Sequence, residues 1–186
     1  FRSLGVDVIV TGGQTMNPST EDLVEAVNRV EAESVIILPN NKNIIATAKQ
    51  VVDLVDKTVK VVPSRTVPQG IISMVNFDPA EDVNQNLQNL EAVIPGIKNG
   101  EVTYAIRSLE VDGFSVKEND IIGLWNGKLS AVSSDVNETL LKLVEQMVEE
   151  DDEILSLYYG SDVTQEQAEE ACARIEELYP DLEVEL

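Results

Sequence analysis

The sequence contains no histidine, and that absence alone removes much catalytic chemistry. Without an imidazole there is no Ser-His-Asp or Cys-His arrangement, and the usual nitrogen ligand for zinc is missing. The single cysteine, Cys172, permits no internal disulfide, which fits a reducing cytoplasm. It falls among Ala168, Ala171 and Ile175 at helical spacing, the pattern of a core thiol rather than of a nucleophile. Bases are scarce: 13 Lys and Arg stand against 34 Asp and Glu, for a formal net charge of −21. Such a surface repels phosphate backbones, so nucleic acid and anionic membranes are poor partners. No apolar run approaches the roughly 18 residues that a membrane span needs, so no membrane insertion is expected.

What remains is the composition of a globular chain, 43% hydrophobic and 25% charged over 186 residues, enough for one domain or two small lobes around a real core. The charge is uneven. From Glu145 to Leu186 there are 15 acids and one base, Arg174, so this stretch carries −14. Acidic helices of this kind keep a protein soluble; the other reading is a docking patch for a basic partner. The run Glu149–Glu153 is dense enough for a cation, yet reads better as a solvated helix end. The chain starts at Phe1 and stops inside an alternating Leu182–Leu186, and both ends are expected to be boundaries of a piece of a longer protein.

Along the first third, strand and helix alternate. Val6–Val10 reads as a buried strand, Ser34–Leu38 as a second and Val59–Val62 as a third. Ser19 with Asp22 three residues on predicts a helix start, followed by Leu23, Val27 and Val30 on one face. Ile44, Ile45, Ala48, Val51, Val52 and Val55 mark the next helix. Apolar strands that each feed a loop and then a helix predict a parallel sheet covered on both faces, with the loops at one sheet edge. A further helix opens at Asp78-Pro79, carries Val83, Leu87, Leu90, Val93 and Ile94, ends at Pro95-Gly96 and is placed to bridge two lobes. After about Gly100 the pattern changes. Asp112-Gly113 and Asn126-Gly127 are hairpin signals among short apolar runs, which predicts an antiparallel meander. A helix with Leu140, Leu141, Val144 and Val148 follows, then a strand at Ile154–Tyr159. A last helix begins at Val163-Thr164 and carries Leu178 on its core face. The expected architecture is α/β in two lobes: residues 1–100 form a doubly wound parallel lobe, and residues 101–186 an α+β lobe cut at its C-terminus.

Three loops could carry chemistry. Thr11, Gly12, Gly13, Gln14, Thr15 and Asn17 lie between a strand and a helix. Paired glycines let backbone N–H groups turn to a ligand, and a helix N-terminus favours an anion. The alternative is a tight, well-capped turn. The Gly-Lys-Ser/Thr ending of a Walker loop is missing, and so is the dinucleotide pattern. The second loop offers Asn40, Asn41 and Asn43 around Lys42; the alternative there is a solvated turn with Asn43 as helix cap. The third offers Arg65, Thr66 and Gln69. Arg65 is the best group for gripping a carboxylate or phosphate, and a plain surface arginine is the other reading. Polar loops at the carboxyl ends of parallel strands mark the usual ligand position of this architecture. No acid/base pair or metal cluster can be named.

Three motifs carry a family resemblance: Val8–Thr20, Ile37–Ile44 and Val62–Gly70, supported by Gly113–Val116, Ile121–Leu124 and Tyr158–Gly160. Together they resemble the C-terminal region of the ATP-binding subunit of bacterial fatty acid kinases, a dihydroxyacetone kinase-like family, over essentially the whole chain. The resemblance implies a distant, two-lobed DegV-like fold. It also implies that ATP and magnesium belong to an N-terminal domain absent from this sequence, so that no cofactor binds here. By the family's division of labour, these residues recognise a DegV-family carrier protein whose fatty acid becomes an acyl-phosphate, and they meet the acyl group only indirectly. Rival readings are a stand-alone lipid or small-anion binding module, and an independent enzyme, which the missing histidine and acid/base pair disfavour.

Overall fold

The computed structural model describes residues 1–12, 16–111 and 113–186. In the first unit, Phe1–Asn99, the first α-helix, α1 (Thr20–Arg29), begins at Ser19. The Ser19 hydroxyl accepts from the Asp22 N–H, and the Asp22 carboxylate accepts from the Ser19 N–H at 2.8 Å. These bonds hold the Asp22 carboxyl below its ordinary value, and they close the capping box that the sequence spells. Leu23, Ala26 and Val27 form the buried face of α1.

Strand β1 (Ser34–Ile37) and strand β2 (Thr58–Val61) run parallel, with Ile37 opposite Val61. Helix α2 (Ile45–Val51) is the crossover between them. Leu23, Val27, Ala48, Val51 and Val59 make one core cluster, with Val35, Ile37 and Val61 packed against it. Strand alternation therefore turns Val35, Ile37, Val59 and Val61 to the α1/α2 side. Helices α3 (Val67–Val75) and α4 (Val83–Val93) pack on each other, and α4 also packs on β1 and β2. Leu90 of α4 is fully buried, while Val83, Leu87, Val93 and Ile94 are half-buried around it. A 3₁₀ turn, Ile94–Gly96, ends this stretch.

Several expectations for this unit need correction. Val6–Val10 is not a buried strand: the segment joins no ladder, and Ile9 and Val10 are 43% and 36% exposed. The preceding 3₁₀ turn draws the Val6 N–H back onto the Phe1 carbonyl, so the run begins folded on itself. A parallel strand gains its free energy only from a neighbour, and the parallel sheet of this unit has two strands among the described residues. Residues 67–70 are the first turn of α3 instead of loop. The Thr66 hydroxyl accepts from the Gln69 N–H, and proline in a first helical turn gives up no internal bond. Helix α4 starts at its cap Asp82, four residues later than expected, because Asp78 closes a turn on the Ala80 N–H. The buried Asn86 carboxamide binds the carbonyls of Asp78, Glu81 and Asp82 and keeps that turn in place.

The second unit, Gly100–Leu186, holds β3 (Gly100–Tyr104), β4 (Leu109–Val111), β5 (Phe114–Val116), β6 (Ile121–Trp125) and β7 (Lys128–Ser133). Among the described residues β4 pairs only with β5, whereas β3, β6 and β7 form an antiparallel sheet in that order. The β6–β7 turn puts Asn126 at φ 51° and Gly127 at φ 78°, as the Asn-Gly pair predicts. At the β4–β5 turn, Asp112 lies outside the described residues. Helix α5 (Val136–Met147), capped by Asp135, lies across the sheet with Thr139, Leu143 and Val144 buried. β8 (Ile154–Ser156) and β9 (Glu183–Glu185) pair in parallel, joined through α6 (Gln165–Leu178).

Leu178 is 59% exposed and not on the core face of α6. Ala168, Ala171 and Ile175 form that face, and beyond the last turn Tyr179 and Leu182 take the contacts with Val144 and Ile175. Cys172 is partly buried on α6, where burial first, then the Glu176 and Glu169 carboxylates, push its thiol up. Raising this value favours the neutral thiol. Near neutral pH, iodoacetamide should therefore alkylate folded Cys172 more slowly than a cysteine peptide, and urea should erase the difference. Equal rates in the folded state would contradict that placement.

Candidate functional site

Parallel pairing of β1 and β2 brings the two loops that leave their carboxyl ends together. The link is polar and buried. Ser64, fully buried, accepts from the Asn40 N–H at 3.0 Å and donates to Asn40 Oδ1 at 2.7 Å. Asn40 sits at φ 53°, in the left-handed region that asparagine tolerates better than most residues. Its carboxamide fills the notch at Gly70 on α3, where a Cβ would lie 2.0 Å from Asn40 Oδ1. Loop, strand end and helix start are thus locked by three small or amide residues. Two of them, Ser64 and Gly70, are absent from the candidate set read from the sequence. Gly70 was legible only as the end of a motif, and Ser64 only as a small residue beside Pro63.

Other candidates have local duties. Asn41 Oδ1 accepts from the Asn43 N–H at 2.9 Å, closing a turn. Asn43 is not the cap of α2; that position is Ile44, with no side-chain capping bond. Thr66 caps α3, and the buried Gln69 accepts from the Arg65 N–H at 2.7 Å, so both serve to start the helix. Lys42, Asn43 and Arg65 face solvent. The two loops, residues 38–44 and 62–66, contain no Asp or Glu and hold one cation each, Lys42 and Arg65, in a chain of net charge −21. These loops are therefore locally cationic.

The first loop stands differently. Gly13, Gln14 and Thr15 lie outside the described residues. Thr11, Gly12 and Asn17 are exposed, and Gly12 folds closely onto Pro18, whose Cδ would be 2.9 Å from an added Cβ. Among the described residues, no hydrogen bond joins Thr11, Gly12 or Asn17 to the other two loops. The start of α1 is tied elsewhere, by Thr20 donating to Gln50 of α2 at 3.1 Å. Among the described residues no group of three or more Cys, Asp and Glu could hold a metal ion, and no helix is long and apolar enough to cross a membrane.

The family profile for the C-terminal part of FakA-like fatty acid kinase proteins matches residues 1–186. The chain belongs to that family. It is 42% identical over all 186 residues to Protein YloV of Bacillus subtilis (strain 168). It is 38% identical over the same span to uncharacterized proteins of Staphylococcus aureus strains USA300 and N315. In each case the match covers 34% of the relative, so this family chain spans about a third of the length of the curated relatives it matches. The Asn40–Ser64–Gly70 lock lies within two of the three motifs that carry the resemblance.

Proposed function

We propose that this chain is the non-catalytic C-terminal part of the ATP-binding component of a fatty acid kinase, where it recognises the fatty-acid carrier protein. A separate domain with ATP and magnesium then phosphorylates the carrier's fatty acid to acyl-phosphate. The family match over the whole chain carries this reading. The absence of histidine and of a Walker ending in the sequence adds to it. A carrier of the DegV family and a distant DegV-like architecture for this chain belong to the same proposal, which the parallel β1–α2–β2 crossover favours. The surface we assign to recognition is the cationic loop pair with Asn41 and Arg65. The other reading is a stand-alone lipid or small-anion module, for which the same cationic loops would be the site.

Titration calorimetry with a fatty-acid-loaded DegV-type carrier tests the reading. Arg65→Ala and Asn41→Ala should each weaken carrier binding by about 1–3 kcal/mol, the cost of losing a charged or buried hydrogen bond. The chain alone should form no acyl-phosphate from ATP. Carrier binding unchanged in both variants would sink the recognition surface; acyl-phosphate made by the chain alone would sink the non-catalytic role.

A further inference from the structure

Helix α3 is built inside out. A helix packed on its own protein turns its apolar stripe inward. In α3 the inward residues are Gln69, Gly70 and Ser73, the last two small and two of the three polar. Val67, Ile72 and Val75 are 49%, 37% and 68% exposed, and Phe77 just beyond the helix is 40% exposed. Val67, Ile71 and Val75 recur every four residues, with Pro68 and Ile72 beside them, so these apolar positions form one continuous outer face. The orientation is fixed from the inside. The Asn40 carboxamide occupies the Gly70 notch, Ser73 Oγ donates to the Leu90 carbonyl at 3.1 Å, and Gln69 accepts from Arg65. Turning the helix over would drive β-branched side chains into the notch.

Exposing such a face costs free energy in a lone chain, so its retention calls for an occupant. The chemistry beside it says which kind. Arg65, exposed, stands one residue before the Thr66 cap of this same helix, and the acid nearest the helix in the chain, Asp78, lies past its other end. We infer that the outer face of α3, with Arg65 at its N-terminal end, docks a partner protein whose contact surface is apolar at its centre and anionic at its edge. This rests on the reading of the loop pair as the recognition surface, and it adds the apolar half that the polar loops lack. A second copy of this chain, acidic over much of its length, is the competing occupant, so self-association is set as an outcome of the test.

The test uses the full-length kinase protein with the fatty-acid-loaded carrier, in the double variant Ile72→Ser/Val75→Ser and the single variant Arg65→Ala. Both serines replace exposed side chains, so the melting temperature serves as the control for folding. The expected result is carrier affinity lowered at least about tenfold by the double variant at unchanged melting temperature, with Arg65→Ala also weakening binding. If Arg65→Ala weakens binding and the double variant does not, the apolar docking face is wrong while the recognition reading stands. If neither weakens it, this inference fails, and the recognition surface fails with it where Asn41→Ala is also without effect. If sedimentation shows a self-associated wild type that the double variant makes monomeric, with carrier affinity unaltered, the face is an interface between copies and the inference is overturned. Loss of co-sedimentation with phosphatidylglycerol vesicles, again at unaltered carrier affinity, would overturn it in favour of a membrane.

Discussion

Gly70→Ala is expected to destabilise the first unit by about 2–6 kcal/mol, among the largest effects any single methyl group could have here. The added Cβ would lie 2.0 Å from Asn40 Oδ1, 2.6 Å from its Cγ and 2.7 Å from its Nδ2. One of the partners must leave. Overpacking accounts for about 1–3 kcal/mol. Expelling the carboxamide also strands the Ser64 hydroxyl, fully buried, without its acceptor, for about 1–3 kcal/mol more. Hydrogen exchange of the α3 and β2 amides should report the loss. Adding Asn40→Gly, which keeps the left-handed backbone and removes the clash, should recover the overpacking part alone. Wild-type protection in Gly70→Ala would show that the notch is not filled as described.

Leu143→Ala should destabilise the second unit by about 2–5 kcal/mol. Leu143 is 2% exposed and lies where α5 comes down on two glycines of the sheet. A Cβ on Gly100 would be 3.0 Å from Leu143 Cδ2, and one on Gly123 would be 3.5 Å from Leu143 Cβ. The glycines let the helix approach, and leucine fills the space that this approach leaves. Alanine would open a cavity, since the backbone on both sides is held by paired strands. The chain has one tryptophan, Trp125, on β6 of this same unit. Urea unfolding followed by its fluorescence therefore reads this unit directly. A midpoint within experimental error of wild type would refute the packing role of Leu143.

The features read correctly from the sequence are those decided within a few residues. Ser19 with Asp22 spells its own capping box, and Asn126-Gly127 spells its own hairpin. Thr164 caps α6 as the Val163-Thr164 start predicted. The start of α3 was equally local, since Thr66 and Pro68 are a cap and a first-turn proline, but the polar run up to Gly70 outweighed them. At the site, Asn40, Arg65 and the other loop candidates were visible as residue types. Which of them would turn inward was not, because Asn40 meets Ser64 across 24 residues and Gly70 farther along still.

The sequence by itself determined the chemistry that is excluded, the helix caps, the turns and the family, because these depend on composition, on bonds spanning three or four residues, or on motif order. Only the tertiary structure decided that Val6–Val10 stays outside the sheet, that Ser64 and Gly70 lock Asn40, and that α3 shows its apolar side outward. Each of these depends on a partner distant in the chain. An apolar residue states how strongly it avoids water, but not which neighbour will cover it; that is settled when strands pair and a notch the size of one missing Cβ chooses the side a helix turns in.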